Sequence, residues 1–230
     1  RRGRRLSAPP ADTATALRAT AESLSLPLTD AQVDQLTQYL ALLQRWNATY
    51  NLTAVRDPVA MRQQHLADCL AAVPPLLARC ATGRVLDVGS GGGLPGIPLA
   101  ILQPERSITL IDTVGKKVAF LKQAAMTLGL KNLHAVSDRI ESWQPPANLL
   151  NGHTEGFALI TARAYATLAT LTGQTRRLLA KNGGWYAMKG VFPDAEMAEL
   201  PSDVMVKAVI PLQVPGLGAE RHLVLLAPAN

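Results

Sequence analysis

The sequence predicts an α/β chain in which a doubly wound parallel sheet, finished by a terminal β-hairpin, follows an N-terminal helical extension. Three observations predict it. The apolar run Val85-Leu86-Asp87-Val88 stops at a loop with five glycines in eight residues, Gly89 to Gly96. From there to residue 189, β-type runs alternate with helical segments, the pattern of parallel strands with helical crossovers. Before residue 80 the apolar residues instead recur at helical spacing, so that part reads as helices laid against the sheet.

The elements follow in order. Arg1, Arg2, Arg4 and Arg5 open a basic tail, residues 1–12, read as disordered. A helical extension is expected over residues 13–80, and the sheet domain over 81–230. Residues 13–24 form a helix of middling quality. Thr29-Asp30-Ala31-Gln32 has the form of a capping box, a hydroxyl cap with Gln three residues on, and Val33, Leu36, Leu40 and Leu43 then make one apolar stripe. The stripe runs into Trp46-Asn47-Ala48-Thr49-Tyr50-Asn51, which reads either as a base-stacking surface or as a packed corner, the latter being favoured. Asp57 before Pro58 caps a further helix to about Val73, closed by Pro74-Pro75. His65 and Asp68 share one face of it at i, i+3, which suits an acid-base pair or, more plainly, a surface hydrogen bond.

Strand 85–88 then feeds the glycine loop and a helix over 97–102, whose free N–H groups point back at the loop. A second strand, 107–111, ends in Asp112, in the place where an acidic residue takes two vicinal ribose hydroxyls. A helix over 115–128 turns Val118, Phe120, Leu121, Ala125 and Leu128 inward and Lys116, Lys117 and Lys122 outward. A third strand, 133–136, leads to the loop Ser137-Asp138-Arg139-Ile140-Glu141, where Ile140 is placed to cover an adenine whose edge the neighbouring backbone reads, or simply to start a helix. The fourth strand, 157–162, runs into Arg163, at the carboxyl end of a strand where ligands bind in open α/β sheets. A helix over 167–180 and a turn at Gly183-Gly184 precede strand 185–188, whose carboxyl end carries Lys189. Residues 204–211 and 221–227 make the hairpin.

Bulk properties bound the function. Hydrophobic residues make up 48% and charged residues 17%, which is a globular composition. The formal charge is +6, but the four leading arginines leave only +2 for the folded body, weak support for nucleic-acid binding. Cys69 and Cys80 have neither disulfide nor zinc spacing and read as buried thiols in a reducing compartment. No apolar run is long enough to span a bilayer. A cytoplasmic monomer that binds no metal, no membrane and no DNA is expected.

The glycine spacing selects the nucleotide. A dinucleotide fingerprint matches only from Gly91, two residues after the strand has turned. Counted from the strand end, Gly89-x-Gly91-x-Gly93 with Leu94 resembles motif I of the class I S-adenosylmethionine methyltransferases, a Rossmann-like fold, and S-adenosylmethionine is the expected cofactor. The resemblance narrows with Leu43-x-x-Trp46-Asn47-x-x-Tyr50-Asn51-Leu52-Thr53, His65-x-x-Asp68, the run from Asp87 through Leu94-Pro95-Gly96-Ile97-Pro98, Gly115-Lys116-Lys117, Arg163-Ala164, Lys189-Gly190 and Glu220-Arg221-His222-Leu223. From about residue 36 to 226 the chain resembles the 16S ribosomal RNA guanine-N7 methyltransferase G family, also called glucose-inhibited division protein B. The resemblance implies that Gly89, Leu94, Ile140, Glu141 and Arg163 contact the cofactor. It implies as substrate one guanine of 16S ribosomal RNA, presented as RNA or as the small subunit. Ala158 and Tyr165 depart from the family's usual Asp and Phe.

Guanine N7 carries a lone pair and no proton, so attack on a sulfonium methyl needs no general base, and positioning and electrostatics suffice. The sequence has no Asp/Asn-Pro-Pro-aromatic loop after the fourth strand and no cysteine after the cofactor loop. No acid-base residue is therefore assigned, and Lys189 and Arg163 are the candidates to position RNA or the cofactor's carboxylate. A nicotinamide oxidoreductase, a small-molecule methyltransferase and a catalytically silent RNA-binding protein are the rival readings.

Overall fold

The structure, a computed structural model, describes residues 11–146, 149 and 156–229. The expected basic tail lies, apart from its last two residues, outside them. Seven strands form one mixed sheet: β1 (Val85–Val88), β2 (Ile108–Asp112), β3 (Leu133–Ser137), β4 (Phe157–Arg163), β5 (Leu179–Lys189), β6 (Val204–Pro211) and β7 (His222–Pro228), in the order β3-β2-β1-β4-β5-β7-β6. The first five are parallel, and β7 runs antiparallel between β5 and β6. The order reverses between β1 and β4, and the carboxyl ends at that switch point are where an open α/β sheet takes its ligand. All residues of β1 and β2 are buried, as strands covered on both faces must be.

Helix α2 (Asp30–Tyr50) lies over α5 (Gly96–Leu102) and α6 (Gly115–Leu128), and α1 (Ala11–Ser23) packs on α2. The capping box at Thr29 forms: its hydroxyl accepts from Gln32 N at 3.2 Å and Gln32 Oε1 accepts from Thr29 N at 3.0 Å. The stripe Val33, Leu36, Leu40 and Leu43 is buried, its three leucines in one core with Ile97, Leu110 and Phe120. Burying each of these aliphatic side chains is worth about 1.5–3 kcal/mol, so the helices are continuous with the core of the sheet. The Asn-rich corner is a packed one. Asn47 is buried and clamps the chain, donating to the Val55 carbonyl at 3.0 Å and accepting from Thr53 N at 2.8 Å.

Three local expectations are corrected. The helix begun at Asp57 does not close at Pro74-Pro75. It runs as α3 (Pro58–Met61), a π-helical turn (Arg62–Ala67) and α4 (Asp68–Leu77), with both prolines inside. Each proline forfeits one donor, while the next turn still bonds Ala78 N to the Pro74 carbonyl at 3.0 Å and buries Leu76. Next, the helix expected to reach residue 180 ends as α7 (Leu168–Thr175) with a 3-10 turn (Arg176–Leu178), because Leu179 already pairs with Phe157 of β4. Gly183-Gly184 consequently lie inside β5 at a register shift. A Cβ on Gly183 would stand 2.6 Å from the Phe157 carbonyl, so the glycine is there for close backbone approach. Finally, His65 and Asp68 are buried and do not bond each other on a helix surface.

Candidate active site

The glycine loop is held by the protein's own groups. Gly89 N and Ser90 N both donate to the Ile111 carbonyl, Gly93 N donates to the Ser90 carbonyl at 2.7 Å, and Tyr39 Oη, wholly buried, donates to the Gly92 carbonyl at 2.6 Å. Gly89, Gly91 and Gly93 have φ of 67°, 54° and 84°, a region costly for any residue with a Cβ. The sequence suggested free amides at the start of α5, but they are bonded within the protein. Gly96 N donates to Asp87 Oδ2 at 3.0 Å and Ile97 N to the Gly93 carbonyl at 2.7 Å. With Pro98 next and no donor of its own, this helix start offers little to a diphosphate.

Beside the loop, a cleft of about 400 Å³ opens at the carboxyl ends of β1, β2 and β4, walled by Gly89, Asp112, Lys117, Ile140, Glu141 and Tyr165 among others. Asp112 Oδ2 accepts from Gly91 N at 3.0 Å and Oδ1 from Val114 N at 2.9 Å. Carboxylate oxygens accept more than one bond, so Asp112 is fixed in place with acceptor capacity left for hydroxyls. Lys117, expected to face outward, instead lies 3.7 Å from Asp112. Ile140 is 4% exposed and gives the cleft an apolar wall. Gly91, Gly93, Leu94 and Arg163 are not in this wall. Gly93 packs against Ile97, Leu94 is buried in the core, and Arg163 turns the other way.

Sequence reasoning missed Tyr165 as a builder of the cleft. Its ring lies over Gly89, where an added Cβ would come within 2.3 Å of Tyr165 Cδ2. Its hydroxyl donates to Gln174 Oε1 at 2.7 Å, and Gln174 Nε2 donates to Glu141 Oε1 at 3.1 Å. Between Arg163 and Tyr165, Ala164 holds φ of 52°. An alanine in the left-handed region is strained, and this one lines both the first cleft and a second.

The second cleft, about 260 Å³, is walled by Asp68, Arg163, Ala164, Met188, Lys189, Gly190 and Arg221. Arg163 Nε donates to Asp68 Oδ2 at 3.1 Å, and its Nη2 reaches the Gln64 carbonyl at 2.8 Å and His65 Nδ1 at 3.1 Å. A guanidinium only donates, so Nδ1 accepts and the ring proton sits on Nε2, which donates to Thr53 Oγ1 at 2.6 Å. Burial, with the Arg163 charge second, lowers the His65 pKa to about 4, so the ring is neutral at pH 7. Gln64 and His65 lie in the π-helical turn, a distortion that often marks functional positions. Burial raises the Asp68 pKa against the pull of Arg163 and Arg221. Deeper still, burial raises the Asp87 pKa to about 7.

Lys189 does not stand free as a charge for RNA or cofactor. Its ammonium meets the Ala166 carbonyl at 3.0 Å and both carboxylate oxygens of Glu196, at 2.9 and 2.7 Å, from α8 (Asp194–Ala198). Three acceptors meet its three donors. Glu196 and Arg221 were not read as site residues. Arg221 could have been: once β7 is antiparallel to β5, pairing His222 with Lys189 sets the start of β7 beside the end of β5. Among the described residues no cluster of His, Cys, Asp and Glu is suited to a metal, and no helix is long and apolar enough to cross a membrane.

Comparison with known proteins adds to this geometry. Residues 32–224 match the model of a family described as rRNA small subunit methyltransferase G. The chain is 50% identical over 223 residues to "Ribosomal RNA small subunit methyltransferase G" of Acidovorax ebreus, covering 93% of this chain and 94% of the relative. With the proteins of the same name from Laribacter hongkongensis and Burkholderia lata it shares 50% over 210 residues and 52% over 205, covering 91% and 89% of this chain and 96% and 88% of theirs. Among solved structures, an S-adenosylmethionine-dependent methyltransferase from Aquifex aeolicus superposes with a TM-score of 0.53 at 15% identity, over 74% of this chain and 93% of that one. That likeness bears on the fold, which is the class I methyltransferase architecture expected from the glycine loop.

Proposed function

Because the chain belongs to the ribosomal RNA small subunit methyltransferase G family, we propose that it uses S-adenosylmethionine to methylate N7 of one guanine in 16S ribosomal RNA, by direct in-line transfer. The observation that carries this reading is that two clefts meet at Ala164. One has the acidic, apolar and glycine-loop walls that suit a nucleoside, and the other is lined by two arginines. A methyl can pass in line only where donor and acceptor sites adjoin.

The residues fit the cofactor. Asp112 is fixed by Gly91 N and Val114 N to receive ribose hydroxyls, Ile140 supplies an apolar surface for a purine, and Glu141 stands at the same end of the cleft. Gly91, Gly93 and Leu94 set the loop that brings Gly89 into the wall. When bound, the cofactor supplies an electrophilic sulfonium methyl, and the protein's task is then orientation and exclusion of water. No base is needed for N7, and the second cleft presents none: Asp68 has both oxygens on arginines, and neutral His65 faces Arg163 and Thr53. Lys189 and Glu196 shape the rim by tying the end of β5 to α8. On this reading the enzyme works in the cytoplasm, on naked RNA or on the assembled small subunit.

The test is transfer of labelled methyl to small subunits from cells lacking this activity, with the modified base identified after digestion. Label in 7-methylguanine at one position is the expected result. Cofactor binding without transfer would refute the reading and leave the silent RNA-binding alternative, and transfer to a small molecule alone would refute it in favour of another substrate class.

A further inference from the structure

One buried carboxylate holds two arginines, Arg163 at the end of β4 and Arg221 just before β7, the strands on either side of β5. Asp68, 2% exposed and on α4, takes Arg163 Nε on Oδ2 at 3.1 Å and lies 3.3 Å from Arg221 Nε through Oδ1, an ion-pair contact without hydrogen-bond geometry. Arg163 Nη2 is committed to the Gln64 carbonyl and His65, and Arg221 Nη1 to the Glu220 carbonyl at 2.7 Å. Each guanidinium thus keeps one terminal nitrogen, Nη1 of Arg163 and Nη2 of Arg221, without a hydrogen-bond partner among the described residues. Both side chains are largely sheltered, 19% and 23% exposed, and both line the second cleft.

The local charge adds to the donors. His65 is neutral, Lys189 is matched by Glu196, and Asp68 offsets only one of the two guanidiniums. A net positive charge remains, with two donors fixed in position by one anchor. Such an arrangement suits an oxyanion, because guanidinium forks match its geometry and their orienting cost has been met by the fold.

Resting on the methyltransferase reading above, we infer that the second cleft binds a phosphodiester of the RNA substrate beside the target nucleotide, and that Asp68 is the positioning residue that aims Arg163 and Arg221 at it. The carboxylate of the cofactor's methionine shares this chemistry. The phosphodiester is favoured because Asp68 and Arg221 line only the second cleft, and Arg163 is absent from the wall of the first.

The experiment compares wild type, Asp68→Asn, Arg221→Gln and the double variant. It reads kcat/KM for small subunits across a salt series, dissociation constants for S-adenosylmethionine, and melting temperature. Asp68→Asn and Arg221→Gln should each lower kcat/KM by about 10- to 100-fold, the usual scale for a lost orienting partner, with cofactor affinity within about twofold of wild type. Arg221→Gln should flatten the dependence of log affinity for RNA on log salt by about one. The double variant should be little worse than Arg221→Gln alone, since both changes disable one device. Equal losses in cofactor affinity and kcat/KM with an unchanged salt slope would assign the site to the cofactor's carboxylate and overturn the inference, as would full activity of Asp68→Asn. If Asp68→Asn does not fold, Arg221→Gln decides by its salt slope. If wild type methylates no small subunit, the methyltransferase reading fails separately, and the RNA salt slope of Arg221→Gln against wild type still tests the anion site.

Discussion

Asp87→Asn should expose an acid sensitivity that the native pair of Asp87 and His65 conceals. His65 titrates near 4 in the folded chain against 6.5 in the open one. Between those values the unfolded state holds a proton that the native state lacks, so stability from His65 is lost as pH falls through that window, by about 3 kcal/mol in full. Asp87 works in the other direction. Its carboxyl, wholly buried with Oδ1 unpartnered, titrates near 7 against 3.8, so the native state holds the extra proton and stability falls as pH rises between those values. Over the shared interval the two slopes offset. Asparagine keeps the shape and the neutral charge of the protonated side chain but cannot titrate, which leaves His65 uncompensated. Relative to wild type, the variant should gain about 1.4 kcal/mol between pH of about 5 and about 6, the slope for one proton. Groups shared by both proteins cancel in that difference. Urea unfolding at the two pH values, with m-values checked for constancy, measures it. Parallel pH dependences of the two proteins would refute the reasoning, and so would a His65→Gln variant whose stability failed to fall with rising pH.

Two further outcomes can be checked together. Gly93→Ala should destabilise by more than Gly129→Ala: both have positive φ, but a Cβ at Gly93 would stand 2.3 Å from Ile97 Cδ1, whereas one at Gly129 meets nothing within 4 Å. The backbone term alone is about 1–2 kcal/mol, so the Gly129 variant should stop there while the Gly93 variant exceeds it in thermal unfolding; equal losses would remove the packing argument. Lys189→Ala should lower methyl transfer at limiting RNA by about tenfold, on the scale of a lost supporting contact, because it releases Glu196 and the Ala166 carbonyl together. Full transfer by that variant would end any role for Lys189 at the site.

What the sequence disclosed and what it hid divide by the range of the forces involved. The capping box at Thr29 and the strand ending at Gly89 are local patterns and form as read, and the second strand closes at Asp112 as expected. The failures at the end of α7 and at Pro74-Pro75 arise where pairing with β4 or burial of Leu76 outweighs a local breaker signal. The site divides in the same way. Gly89, Asp112, Ile140 and Glu141 meet because parallel topology gathers strand ends, which the alternation of elements already implies. The i, i+3 spacing of His65 and Asp68 says that they share a face but not what that face meets, and the answer lies 95 residues away at Arg163. No periodicity carries such information, since a buried carboxylate between two guanidiniums is specified only when three elements have packed. The residue that joins the helical part to the sheet was thus visible as a pair on a helix and legible as an anchor only in the fold, and the same packing that hides it from pattern reading holds both arginines in one geometry.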